Sequence, residues 1–79
     1  MSTAEVRCVF ASPAHAEIAA ATLSVDPELH PERVRRSIAA EGAGVSARFE
    51  AADGRSLRSA VGAYVDMLGV VLRTLREFG

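Results

Sequence analysis

Lysine does not occur in this sequence, cysteine occurs once, at Cys8, and histidine occurs twice. Each shortage removes a class of explanation. A lone cysteine rules out a disulfide within the chain and reads as a small core residue in a reducing compartment. His15 and His30 have no metal-ligand spacing to each other or to Cys8, and no Cys-His motif surrounds the thiol. The glycines of "EGAGVSARFEAADG" do not form a phosphate-loop pattern. Asp26, Glu28 and Glu32 cluster in a loop, where solvation is their ordinary role. No catalytic residue, metal site, cofactor or small-molecule substrate is therefore expected, and the chain does not read as an enzyme.

Long apolar runs are missing too. "AEIAAATLSV" is too short to span a bilayer, includes Glu17 and follows no Lys/Arg-rich start. No membrane span is expected, and the cytoplasm is the expected location. A net charge of −1 with pI near 6.1 supplies no overall basic footprint for nucleic acid. All nine cations are arginines. That bias is what a GC-rich genome produces, and it is equally the cation suited to bidentate contacts with phosphate or carboxylate.

What is present is an ordered set of periodic segments. "AEVRCVFA" alternates, with Val6, Cys8 and Phe10 on one side and Glu5, Arg7 and Val9 on the other, which is strand period. "SPAHAEIAAATLSV" offers Ser12 as an N-cap and Pro13 at the first helical position, and runs alanine-rich to about Val25. "DPELHPE" is read as loop. "RVRRSIAA-EGAG-VSARFEAA" reads as a hairpin with "EGAG" as its tight turn, and Asp53 is placed to cap a final helix. The predicted fold is a single α+β domain, residues 1–79, in the order β-α-β-β-α. A right-handed crossover and a third strand inserted between the first two give a three-stranded antiparallel sheet with two helices on one face. The other face and both edges stay open. Seventy-nine residues bury only about 60% of their unfolded surface, so a partner subunit is expected, in the first place a second copy.

The last helix, "RSLRSAVGAYVDMLGVVLRTLREFG", is apolar round most of its circumference. At ~100° per residue, Arg55, Arg58, Ser59, Gly62, Asp66, Gly69, Arg73, Arg76 and Glu77 fall in one polar arc of roughly 100°. Leu57, Tyr64, Leu68, Val71 and Leu75 lie opposite and should meet the sheet. Val61, Val65 and Leu72 form one flank; Ala60, Ala63, Met67, Val70 and Phe78 form the other. A core-facing stripe need be little wider than ~100°. One flank can pack on the thin first helix, which leaves the second as an exposed apolar patch of the kind that marks an interaction surface. Gly62 and Gly69 bracket Asp66 on one side, where another backbone can approach closely. The predicted partner surface is Gly62, Val65, Asp66, Gly69, Leu72 and Arg73. Strand parity also puts Arg7, Arg33, Arg35 and Arg48 on the outer sheet face with Glu5 and Glu50, a candidate RNA-binding set. Arg36 has the opposite parity and is expected to reach an edge. Cross-strand ion pairing on a solvated face is the competing account, and no aromatic platform for base stacking accompanies these arginines.

"LSVDPE" after the first helix, then "RVRRSI" and "FEAADGRSLRSAVGAYVDMLGVVLRTLREFG", resemble the small Pcc-type subunits of the KEOPS complex over nearly the whole chain. The most specific parts are "RSLR" at Arg55–Arg58, Asp66 before "ML", and the "EFG" ending. Gly62 departs from the polar residue expected at its position. The resemblance implies a non-catalytic protein that homodimerises and binds the catalytic ATPase-fold subunit, its helices joining a pair of partner helices in a bundle. It implies service in a complex that places threonylcarbamoyl on the adenosine beside the anticodon of tRNA. A stand-alone RNA- or DNA-binding domain related to transcription, using the arginine face, is the alternative.

Overall fold

The computed structural model describes residues 1–25 and 32–78. The loop reading of "DPELHPE" falls mainly on residues 26–31, with Asp26, Glu28 and His30, outside the described residues. The elements follow the expected order: β1 (Ser2–Val9), α1 (Pro13–Val25), β2 (Val34–Glu41), β3 (Gly44–Ala51) and α2 (Gly54–Phe78). The strands pair antiparallel in the order β1-β3-β2, which leaves β1 and β2 as edges.

Boundaries differ from the sequence reading in two places, and pairing explains both. β1 starts at Ser2 and stops at Val9, because its ladder runs from Ser2 opposite Ala51 to Val9 opposite Gly44. Phe10 has left the strand, yet it is buried and its N–H donates to the Ala43 carbonyl at 2.7 Å. The hairpin turn is shorter than "EGAG": Glu41 and Gly44 pair, leaving Gly42 and Ala43 as the loop. Gly42 has φ +57° and Ala43 does not have a positive φ. A glycine at the first of two loop positions is the requirement of a type II′ turn, whose twist suits a right-twisted hairpin.

Both helices begin with the expected caps. The Ser12 hydroxyl accepts from the His15 N–H at 3.2 Å, and Pro13 opens α1 where a missing N–H costs nothing. The Asp53 carboxylate accepts from the Ser56 N–H at 2.7 Å and from the Ser56 hydroxyl at 3.2 Å. These bonds, the backbone one first, hold its pKa below the usual carboxylate value, and the Arg33 charge adds to the effect.

The core lies between the inner sheet face and the two helices. Val34, Val45, Ala47, Phe49 and Ala51 come from the sheet, Ala16, Ala19 and Leu23 from α1, and Ala60, Tyr64, Leu68 and Val71 from α2. Phe49 and Tyr64 meet edge to face, with ring centroids 5.4 Å apart. Burial pushes the Tyr64 hydroxyl pKa up, and the nearby Cys8 adds to the rise while Arg36 opposes it. Arg36 stands half-buried on β2, one of the two sheet edges, as its parity requires. At ~1.5 Å per residue, 25 residues of α2 extend ~37 Å, whereas eight-residue strands reach only ~26 Å. The surplus falls at the C-terminal end, where Phe78 is exposed.

Candidate functional site

The six residues predicted as a partner surface lie along one side of α2. Val65 and Leu72 are 47% and 38% exposed, and Gly62, Asp66 and Arg73 are exposed beside them. Gly69 is half-buried. A Cβ built on Gly62 or on Gly69 would meet nothing within 4 Å. Close approach within the chain therefore does not account for either glycine. What they leave is a shallow strip, with Val65 and Leu72 rising on its border two turns apart.

The opposite flank departs from expectation. One flank was to be covered by α1, but Met67 and Val70 are 37% and 46% exposed, close to the values for Val65 and Leu72. Only Ala60, 8% exposed, is buried on that side. The reason lies in α1, which buries Ala16, Ala19 and Leu23. Alanine side chains let the helices pack closely but are too short to spread over the neighbour's flanks. α1 also exposes apolar residues of its own, Ile18 and Val25. The helical layer is thus more open than a one-sided patch.

On the outer sheet face, register gathers three of the four predicted RNA-binding arginines. Glu5 on β1 stands opposite Arg48 on β3, and Arg7 follows on the same face. The Glu5 carboxylate takes both cations, with Arg7 Nε at 3.6 Å and Arg48 Nε at 3.4 Å. Arg7 Nε also donates to the Ser46 hydroxyl at 3.2 Å. Arg35 on β2 stands opposite Glu50. Thr3, Glu5, Arg35, Ser37, Arg48 and Glu50 line a shallow depression of about 600 Å³. Both ion pairs are solvent-exposed, and pairs of that kind are worth only ~0–1 kcal/mol. Arg33 is not part of this group: it precedes β2, its carbonyl accepts from the Ala52 N–H at 3.1 Å, and its charge acts on Asp53.

Sequence reasoning assigned no binding role to Arg55, Arg58 and Arg76, although it placed all three in the polar arc of α2. All are exposed, and neither they nor Arg73 forms an ion pair among the described residues. No carboxylate stands three or four residues from Arg55, Arg58 or Arg76 in the sequence, whereas Glu77 stands four residues from Arg73. No group of three or more His, Cys, Asp or Glu with metal-binding geometry occurs among the described residues, and no described helix is long and apolar enough to cross a membrane.

A three-stranded sheet backed by two helices, with apolar flanks turned outward and arginines on its open face, is the build of a small α+β interaction domain. Comparison with known proteins gives the class its family. The family model described as "Transcription factor Pcc1" matches residues 3–76, and the chain belongs to the Pcc1 family. It is 36% identical over 75 residues to the EKC/KEOPS complex subunit PCC1 of Eremothecium gossypii, covering 95% of this chain and 93% of that protein. It is 37% identical over 70 residues to the human EKC/KEOPS complex subunit LAGE3, covering 89% of this chain. The chain spans 49% of the length of that human relative. Its fold matches a chain in the crystal structure of a binary Gon7-Pcc1 complex with a TM-score of 0.90 and 26% identity, covering 99% of this chain and 96% of the other.

Proposed function

We propose that this chain is a non-catalytic subunit of a KEOPS-type complex, which homodimerises and binds the catalytic threonylcarbamoyltransferase subunit in the N6-threonylcarbamoyladenosine modification of tRNA. Family membership supports the complex. The observation that carries the partner role is the strip on α2, where a Cβ at Gly62 or Gly69 would meet nothing within 4 Å and Val65 and Leu72 stand exposed beside them. A helix of the catalytic subunit laid along Gly62, Val65, Asp66, Gly69, Leu72 and Arg73 would cover that apolar border and approach the backbone closely at the glycines. The open edges of β1 and β2 supply the unpaired strands on which a second copy can assemble. The free thiol of Cys8 suits a reducing compartment, and the cytoplasm is the proposed location.

Gly69→Leu tests the strip. A Cβ there meets nothing within 4 Å, so the variant is expected to stay folded. It is expected to lose the catalytic subunit in a pull-down while its melting temperature holds or rises. Retained binding would remove this flank and direct attention to Met67, Val70 and Phe78. Light scattering should report a dimer at micromolar concentration; a folded monomer there would refute homodimerisation.

The outer sheet face is assigned to tRNA, with Arg35 and Arg48 lining the depression, Arg7 joined to it through Glu5, and Arg33 of the expected set lying apart. Charge reversal at Arg35 and Arg48 should weaken tRNA binding by the full complex and flatten its salt dependence. Salt-dependent RNA binding by the isolated chain, without any catalytic partner, would instead favour the stand-alone nucleic-acid-binding alternative.

A further inference from the structure

Four of the nine arginines, Arg55, Arg58, Arg73 and Arg76, lie on α2, exposed and outside any ion pair among the described residues. Arg55 stands in the first turn, the end at which a helix dipole disfavours a cation, and that turn holds no acidic residue. Glu77 follows Arg73 by four residues, the weaker order for such a pair, and the two form no ion pair. The chain thus keeps four cations on one helix without using them for its own stability.

Their placement is symmetric. Arg55 with Arg76, Arg58 with Arg73 and Gly62 with Gly69 share one midpoint, between Val65 and Asp66. The pairs 55/58 and 73/76 are 18 residues apart, five full turns at ~100°, so they point the same way, ~27 Å apart along the axis. The low point of the strip therefore lies midway between two cationic ends. Across the arc the charges divide. Arg58 and Arg76 lie on the edge beside Val65 and Leu72, and Asp66 and Glu77 towards the opposite edge.

A second copy of α2 crossing at this midpoint in antiparallel alignment sets Arg55 on Arg76 and Arg58 on Arg73, cation against cation at both ends. Parallel alignment repeats each arginine on itself. An RNA backbone along the arc meets Asp66 and Glu77 as well as the arginines, and gains nothing from the apolar border of Val65 and Leu72. A helix with carboxylates at both ends meets neither objection. We propose that the strip takes such a helix, amphipathic and acidic at both ends, as the element of the catalytic subunit that crosses α2 at Gly62 and Gly69. The inference rests on the partner role proposed for this strip and adds the chemistry of the partner. At an interaxial angle of ~20° the two axes separate sideways by only ~5 Å at each arginine pair, which a guanidinium spans. At ~50° they separate by ~16 Å, which it does not. A shallow, bundle-like crossing is thus part of the assignment. The apolar border supplies affinity, and the arginines set register and speed encounter.

The test uses the chain and its catalytic subunit, with association and dissociation rates measured from ~0.05 to ~0.5 M salt. Arg55→Gln with Arg58→Gln should weaken the complex about 2- to 30-fold at the lowest salt, mostly through the association rate, and the deficit should shrink as salt rises. Arg76→Gln should act in the same direction by about 1.4- to 5-fold. The free double variant should melt no lower than the parent, because the charge of Arg55 leaves an unfavourable dipole position; a fall in Tm would show the arginines engaged within the chain and overturn the proposal. Gly69→Leu in the same assay separates this proposal from the one it rests on. If Gly69→Leu abolishes binding while the arginine variants match the parent at every salt concentration, the acidic helix is overturned and the strip stands. If Gly69→Leu binds as the parent does, the partner role of the strip fails. An arginine variant that joins the catalytic subunit normally but binds tRNA more weakly would overturn the proposal in favour of a nucleic-acid contact.

Discussion

Replacing both helical glycines with alanine probes the open strip on α2 without adding chemistry. Gly62 and Gly69 sit inside a 25-residue helix, neither has a positive φ, and an added Cβ at either meets nothing within 4 Å. Alanine then contributes only through the backbone entropy it removes from the unfolded chain and through its helix propensity, about 0.5–1 kcal/mol per site. The positions are seven residues and ~10 Å apart, far enough for their effects to add. The double variant should gain roughly 1–2 kcal/mol, which for a domain of this length raises Tm by about 4–16 °C. Thermal unfolding followed by circular dichroism at two protein concentrations measures it. A Tm below that of the parent at both concentrations would refute the claim that the strip is open within the chain. A penalty that grows with concentration would mean that the glycines lie in the contact between copies.

Three further outcomes follow from the same geometry. Glu5→Gln frees Arg7 and Arg48 together; stability should change by less than about 1 kcal/mol, while tRNA binding by the full complex tightens and its salt slope steepens. Identical slopes before and after would mean that neither arginine reaches phosphate. Phe49→Ala removes a buried ring that packs against Tyr64 and should cost about 3–5 kcal/mol, against a total of roughly 4–12 for this length; a urea midpoint shift equivalent to under ~1 kcal/mol would contradict the core assignment. For Tyr64 the folded pKa is raised above its ordinary value near 10, so the unfolded state releases that proton first. The stability this provides is complete below about pH 10 and is lost as pH rises through the folded pKa. With one tyrosine in the chain, phenolate absorbance reports that residue alone, and titration at or below pH 10 in the folded protein would show the burial argument to be wrong.

The order of elements, the two helix caps and the inward faces of the strands can be read from the sequence because each depends on short-range spacing. Alternation assigns Val45, Ala47, Phe49 and Ala51 to one face wherever the strand sits. Ser12 and Asp53 cap through bonds three residues away. Pairing and cover are different, because they depend on residues distant in the chain. Alternation along β1 already puts Glu5 beside Arg7, but only the β1–β3 register sets Glu5 opposite Arg48, so that one carboxylate takes both cations. Only the β2–β3 register cuts the turn to two residues, and only the sheet's end places Arg33 beside Asp53 and apart from the other outer-face arginines. The polar arc of α2 was visible as a stripe, as was the lack of a carboxylate one turn from Arg55, Arg58 and Arg76; that no described carboxylate of another element pairs with them is what the packed molecule adds. The sequence likewise showed an over-apolar helix, while the number of uncovered flanks was decided by how little of α2 the alanine side chains of α1 can reach.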